Sequence, residues 1–373
     1  MQIISGTTEI NWEQHTAVAI GKFDGIHQGH RRLLDQIIRA KEDGLAATVF
    51  TFDPPPSVFF SGKPQAELTT KEEKRRIFEK MGIDLLVEFP MNARTAAMPP
   101  ETFVSRVLHE QLKARYIAAG TDLSFGDRGK GDWHLLKAMA EKMGYQVQVI
   151  DKIMYGGREI SSTFVREEIL KGNMELAEKL LGAPFTVSGT VKHGKRLGRT
   201  LGMPTVNLLP PRDKLLPPKG VYISRMFAGG SWHEGITNIG CRPTVSNSGQ
   251  MSVETYLYNF NEEIYGEYVE VSLLTYCRPE MKFSGVDELK ENMARDIEAG
   301  RDYWESRRAE KTVGQRIPFR GELSGGSCCY NSSPRCRRSY ASASPAFPAL
   351  YVGRDSARFL SGHTFARINT QRY

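Results

Sequence analysis

Ten residues, Gly21-Lys22-Phe23-Asp24-Gly25-Ile26-His27-Gln28-Gly29-His30, constrain the fold of this chain more than any other stretch. They follow an apolar run, Thr16–Ile20. They precede a segment in which Leu33, Leu34, Ile37 and Ile38 recur at helical spacing, with Asp35, Arg39 and Lys41 on the polar side. The order is strand, glycine loop, helix. Glycines let the backbone approach a ligand closely. The loop delivers two imidazoles, three residues apart, to the first turn of the helix. Free N–H groups and the positive end of the helix dipole favour an anion there, and the expected anion is a nucleotide phosphate. Two other readings stay open. The histidines could be plain helix-start residues. They could also bind zinc, although zinc pairs on a helix favour an i,i+4 spacing and need a third ligand.

The first 180 residues alternate. Strands are expected at 16–21, 46–52, 85–89, 114–119 and 145–150, with helices at 30–42, 101–112 and 133–143 between them. Pro54-Pro55-Pro56 reads as a rigid loop. Thr69 and Glu72 have capping-box spacing and open a further helix ending near Gly82. Ile160–Arg166 opens two closing helices that end near Gly182. This rhythm implies a doubly wound parallel sheet covered on both faces. The ligand crevice of such a sheet lies beyond the carboxyl ends of its strands, where the histidine loop falls.

The pattern changes at Ala183-Pro184. Phe185–Val191, Val221–Phe227, Trp232–Ile239, Ser252–Phe260 and Tyr268–Tyr276 read as short strands, with Gly229-Gly230 as a hairpin turn. Val253, Thr255 and Leu257 fall on one strand face, Glu254, Tyr256 and Tyr258 on the other. Closure into a small β-barrel would remove exposed edges. One helix, about 286–304, follows.

The net charge of +7 is unevenly placed. From Lys311 onward there are ten Lys/Arg and two Asp/Glu, so the rest of the chain holds 40 basic and 41 acidic groups. The body is electrically balanced, which argues against nucleic acid as a partner. No apolar run is long enough for a membrane span. The N-terminus lacks the pattern of a secretory signal, and five cysteines do not suggest a disulfide framework. A cytoplasmic protein is expected. Residues 311–373 have little periodicity and read as a disordered or non-native tail. Its cysteines, Cys328, Cys329 and Cys336, lack the second ligand pair of a metal site.

A second loop, Gly189–Gly202, carries Gly189, His193, Gly194, Arg199 and Gly202 among other basic groups and suits phosphate. A solvated basic hairpin is the alternative. Thr205 and Asn207 follow on an extended segment and share one side. Their hydroxyl and amide oxygens are hard donors suited to magnesium. Read alone, they could equally be ordinary polar strand residues.

Taken together, these motifs carry a resemblance. Gly-x-Phe-Asp-Gly-x-His-x-Gly-His, followed by Ile160-Ser-Ser-Thr-x-x-Arg166, resembles the nucleotidyltransferase superfamily, most closely the adenylyltransferase module of bacterial bifunctional riboflavin kinase/FAD synthetases. Gly120–Gly126 resembles that family's third motif. Pro204-Thr-x-Asn207 after the glycine loop, Thr237–Thr244, Val253-Glu254 and Arg278–Phe283 resemble the riboflavin kinase module. The resemblance spans about residues 10–308. It implies a nucleotidyltransferase-type sheet over 1–183 and a riboflavin kinase-like barrel over 184–310.

The resemblance also implies site residues. Gly21, Phe23, Asp24, Gly25, His27, His30, Asp122, Ser162 and Arg166 would bind ATP for adenylyl transfer, the two histidines on its phosphates and Ser162 and Arg166 holding them from the second motif. Gly189, His193, Gly194, Arg199, Gly202, Thr205 and Asn207 would bind ATP for the kinase, with Thr205 and Asn207 on Mg²⁺. Glu254 would be the base, and Arg278 and Phe283 would border the flavin. Riboflavin, FMN and FAD are the implied substrates and products, and no oligomeric state follows. One departure is Pro55, where such proteins usually carry a histidine. The rival functions are a flavin-binding regulator without catalysis and a related small-molecule adenylyltransferase. Aminoacylation of tRNA would need an anticodon-binding region and a basic surface that this chain lacks.

Overall fold

The computed structural model describes residues 1–193, 202–241 and 251–314. Six parallel strands form the first sheet: β1 (Gln2–Ser5), β2 (Thr16–Ile20), β3 (Ala46–Asp53), β4 (Leu85–Pro90), β5 (Ala114–Gly120) and β6 (Gln146–Ile150), in the order β1-β4-β3-β2-β5-β6. Every residue of β2 is buried, as a central strand covered on both faces requires. Val18 and Ile20 face one layer with Phe103, Val107 and Leu108, whereas Ala17 and Ala19 face the other with Leu33, Leu34 and Ile37. The alanines let helix α1 (Gln28–Arg39) lie close to the sheet. The strand order reverses about β2, so the histidine loop leaves the sheet at a topological switch point.

The connecting helices are α2 (Pro56–Ser61), α3 (Lys71–Lys80), two short ones, α4 (Ala93–Ala96) and α5 (Pro100–Thr102), then α6 (Trp133–Met143), α7 (Ser162–Lys171) and α8 (Met174–Leu181). Phe103–Gln111 continues α5 as π-helix. A hairpin of β7 (Met154–Tyr155) and β8 (Arg158–Glu159) precedes α7.

Six strands close the barrel: β9 (Phe185–Lys192), β10 (Thr205–Leu208), β11 (Gly220–Ala228), β12 (Ser231–Cys241), β13 (Met251–Leu257) and β14 (Tyr268–Pro279), in the order β10-β13-β12-β11-β14-β9. Gly229 and Gly230 take φ of +54° and +83°, the left-handed pair a two-residue hairpin needs. Helix α9 (Val286–Gly314) lies on the outside of the barrel, where Trp304 packs with Val221, Ile223 and Ile236.

The structure corrects several local expectations. The box that opens α3 is Thr70 with Glu73, one residue later than Thr69 with Glu72. The proline stretch starts a helix at Pro56, where a missing N–H costs nothing. Strand β1 and the β7–β8 hairpin are additional, too short to show a period. Helix α9 runs ten residues past the expected end at 304.

The shift to Glu73 has a structural consequence. Its Oε2 accepts from Thr70 N at 3.0 Å and from the Lys214 ammonium at 2.7 Å. Its Oε1 accepts from Ser188 N in β9 at 3.0 Å. The two side chains are only 1% (Lys214) and 6% (Glu73) exposed. One carboxylate therefore caps a helix of the α/β module and ties it to the barrel. The apolar core is also continuous across the joint, from Val165, Ile169 and Leu180 to Val187, Leu208 and Val253. Breaking a buried pair strands the remaining charge. Glu73→Ala is expected to lower stability by about 3–5 kcal/mol in urea denaturation, with Glu73→Gln losing less because it keeps a hydrogen-bond acceptor.

Candidate active sites

The first site begins with a strained loop. Phe23, Gly25 and Ile26 take φ of +50°, +86° and +43°. A β-branched residue at positive φ is rare, and such strain persists only where packing over-determines it. Phe23 and Ile26 are 0% and 1% exposed, locked beneath α1. A Cβ on Gly25 would sit 2.8 Å from the Leu68 side chain. One on Gly21 would sit 3.1 Å from the Phe23 ring.

Asp24 fixes the loop from four directions. Its Oδ1 accepts from Leu68 N at 2.8 Å and Thr69 N at 3.3 Å. Its Oδ2 accepts from Arg166 Nη2 at 2.9 Å, and its carbonyl accepts from the Ser162 hydroxyl at 2.7 Å. Arg166 Nη1 also donates to the Ala66 carbonyl at 2.6 Å. In this structure the two residues of the second motif thus brace the histidine loop.

His27 is the N-cap of α1 and makes no side-chain cap bond. The His27 and His30 rings stack, 3.8 Å between centroids and 21° between planes. Gly29 makes this possible, since a Cβ there would lie 3.1 Å from His27 Cε1. Nδ1 of each ring is buried with no hydrogen-bond partner among the described residues. Burial pushes His27 down to about 4, against the opposing pull of Asp122 and Glu159. His30 is held well below its ordinary value by burial and then by His27. Both rings are therefore neutral near pH 7. No group of three or more His, Cys, Asp or Glu able to hold a metal occurs among the described residues, so the histidine pair lacks a zinc set. Asp122 is exposed, 3.8 Å from Lys152, which also pairs with Glu159 at 2.7 Å. Pro55 caps α2 and brings no polar side chain.

The second site lies on the outer wall of the barrel. Val206 and Leu208 pack into the barrel core, so Thr205 and Asn207 face outward. Asn207 pairs across the ladder with Glu254, and Thr205 with Tyr256. Asn238 lies beside Glu254 on the next strand. Two cavities meet at Thr205. One, about 220 Å³, is bounded by Thr205, Asn238, Glu254, Arg278, Phe283 and Asp296. The other, about 270 Å³, is bounded by Thr205, Pro204, Val206 and the 260–265 segment. Arg278 grips Asp296 of α9 with two bonds, Nε to Oδ1 at 2.8 Å and Nη2 to Oδ2 at 2.6 Å. That carboxylate raises the Arg278 pKa further. Glu254 faces outward, yet α9 and the 279–283 segment roof it over.

The glycine loop is only partly described. Gly189 serves packing, since a Cβ there would fall 2.4 Å from Leu208 Cδ1. His193 lies 3.9 Å from the Tyr265 ring that borders the second cavity. Gly202 takes φ of +77° in open space. Gly194, Arg199, the 242–244 part of the barrel motif and the tail cysteines lie outside the described residues. Asp296 carries no sequence signal. It sits in a charged helix, and only the fold brings it to Arg278.

These features define an α/β nucleotide-site module joined to a small barrel with a double cavity. The FAD synthetase family model matches residues 9–164, and the riboflavin kinase model matches residues 181–304. A bifunctional riboflavin kinase/FMN adenylyltransferase of Listeria monocytogenes is 35% identical over 301 residues, 80% of this chain and 95% of the relative. One of Escherichia coli K12 is 36% identical over 309 residues, 82% and 98% respectively. A crystal structure titled as a macrolide-efflux protein from Streptococcus pneumoniae matches with a TM-score of 0.67 at 28% identity, covering 81% of this chain and 98% of that one. The chain belongs to the bifunctional riboflavin kinase/FMN adenylyltransferase family. No helix among the described residues is long and apolar enough to cross a membrane.

The histidine geometry yields a pH test. Between pH 6.5 and about 4 an unfolded His27 binds a proton that the folded one refuses. Stability therefore rises with pH through that window. Imidazole NMR titration should show His27 and His30 without a protonation step between pH 6 and 8. A midpoint near 6.5 for either would contradict the burial argument.

Proposed function

We propose that the chain phosphorylates riboflavin with ATP to give FMN and ADP, then adenylylates FMN with a second ATP to give FAD and pyrophosphate. The observation that carries this is Thr205, shared by two cavities, with Glu254 in one and the mixed polar and apolar 260–265 segment walling the other. A donor and an acceptor bound in adjoining cavities meet at their common wall, the arrangement in-line phosphoryl transfer needs. Membership in a bifunctional family supports the same reading.

In the kinase step, Glu254 takes the proton of the ribityl 5′-hydroxyl as its oxygen attacks the γ-phosphorus, and ADP leaves. Arg278, neutralised by Asp296, fastens α9 as the roof of the flavin cavity, with Phe283 at its rim. Thr205 and Asn207 offer an oxygen-only donor set on one strand face, which fits Mg²⁺. When bound, the ion neutralises phosphate charge. His193, with Gly194, Arg199 and Gly202 of the glycine loop, borders the nucleotide.

In the adenylyl step, the FMN phosphate attacks the α-phosphorus of ATP and pyrophosphate leaves. His27 and His30 hydrogen-bond the phosphates from their buried positions, where each bond counts for more. An arriving polyphosphate opposes burial and favours protonation of the rings. Gly21, Phe23, Asp24 and Gly25 shape the loop, Ser162 and Arg166 hold it, and Asp122 borders the nucleotide.

We assign residues 1–183 to adenylyl transfer and 184–310 to the kinase, with 311–373 serving neither. The partners are small molecules, and the setting is the cytoplasm.

Variants separate the two sites. Glu254→Gln should lower FMN formation from riboflavin by about 10²–10⁴-fold and leave FMN-to-FAD conversion intact. His30→Ala should lower FAD formation by roughly 10- to 100-fold and leave FMN formation intact. Equal loss of both activities in either variant would overturn the separation. A chain ending at Gly314 should keep both activities, and loss of either would show that the tail takes part.

A further inference from the structure

A third cavity, about 280 Å³, lies between the two modules and belongs to neither site above. On the α/β side it is walled by Gly25 and Ile26 of the histidine loop and by Arg76 and Lys80 of α3. On the barrel side it is walled by Phe185 and Ser188 of β9 and by Glu270 of β14.

Its charges do not balance. Four cations line it, Arg31, Arg76, Lys80 and Lys214, against two carboxylates. Both carboxylates are taken. Glu73 holds Lys214 at 2.7 Å, and Glu270 holds Lys80 at 2.7 and 2.9 Å. Neither Arg31 nor Arg76 has a carboxylate ion pair among the described residues. Arg31 donates Nε to the Leu181 carbonyl at 2.8 Å, and burial pulls its pKa down with only Asp35 opposing. The Arg76 guanidinium stacks on the Tyr268 ring at 3.7 Å. A stacked guanidinium satisfies its face but leaves its in-plane N–H donors for an acceptor beside the ring. Two guanidinium groups thus border a half-open cleft, half-buried Arg31 and exposed Arg76, and neither has a carboxylate in ion-pair contact among the described residues.

We propose that this interdomain cavity binds a small phosphate-bearing anion. Phosphate is the acceptor that matches guanidinium geometry, because two parallel N–H···O bonds can form to one group. Ile26, Leu68, Ile77 and Leu181 provide an apolar wall for a compact organic part. The volume is at the small end of ligand pockets, so a phosphomonoester fits and a dinucleotide does not. The walls matter for function. Gly25 and Ile26 lie two residues or fewer from Asp24 and His27, and β9 runs on to His193. A ligand here contacts an element of each active site and would bias both. The proposal stands on the cavity and its charges and does not rest on the assigned reactions.

The test uses inorganic phosphate as probe. The full chain is held in saturating non-hydrolysable ATP analogue, and phosphate binding is followed by ³¹P line broadening. Wild type should bind phosphate under these conditions. Arg76→Gln should weaken it about tenfold or more, and Arg76→Lys should weaken it less, because the charge stays while the fork is lost. Arg31→Gln, checked for folding by circular dichroism, should weaken it likewise. Absence of binding in the wild type, or wild-type affinity in either glutamine variant, would overturn the proposal.

Discussion

The buried ion pair of Lys214 and Glu73 is the joint on which the rest of the molecule hangs. Removing two charges from water is costly, and a pair alone often fails to offset it. Here the surrounding bonds are complete. Glu73 accepts from Thr70 N and Ser188 N besides the ammonium, and Lys214 also donates to the Leu68 carbonyl at 2.7 Å. The amide of that same Leu68 donates to Asp24. A continuous line of hydrogen bonds therefore runs from β9 of the barrel, through the cap of α3, to the carboxylate that holds the histidine loop. The strained φ values of Phe23 and Ile26 are tolerable because this frame, with Ser162 and Arg166, leaves the loop no alternative.

The two sites use different electrostatics. The histidine loop keeps two stacked imidazoles neutral by burial, so that no like charges oppose each other. The barrel site keeps its charges but pairs or spaces them. Arg278 and Asp296 cancel each other while pinning α9, and Glu254 stands apart on β13 with Asn207 and Asn238 beside it. Neutral buried rings at one site and paired charges at the other follow from where each lies, at the end of a covered sheet and under a helix on a barrel wall.

Much of this was legible in the chain. Long apolar periods marked the parallel strands, because burial on both faces leaves near-continuous runs such as Thr16–Ile20. The alternation at Val253–Leu257 marked a barrel strand, and Gly229-Gly230 marked its turn. The histidine loop announced itself through its glycines, and the structure gives one of them a packing role as well. Gly29 makes room for an imidazole, and in the barrel Gly189 makes room for Leu208. What escaped was tertiary. Thr69/Glu72 and Thr70/Glu73 both satisfy local spacing, and only the barrel's Ser188 and Lys214 select the second. The Arg278–Asp296 clasp joins a strand to a helix with no sequence period linking them. The interdomain cavity exists only when both modules are in place.

The central claim is that one polypeptide holds two chemically distinct pockets acting in turn on one vitamin. The most direct measurement incubates the purified chain with riboflavin, ATP and Mg²⁺ and separates the flavins by chromatography over time. FMN should appear first and decline as FAD accumulates, with ADP and pyrophosphate released in step. Riboflavin remaining unchanged while ATP is present would contradict the account.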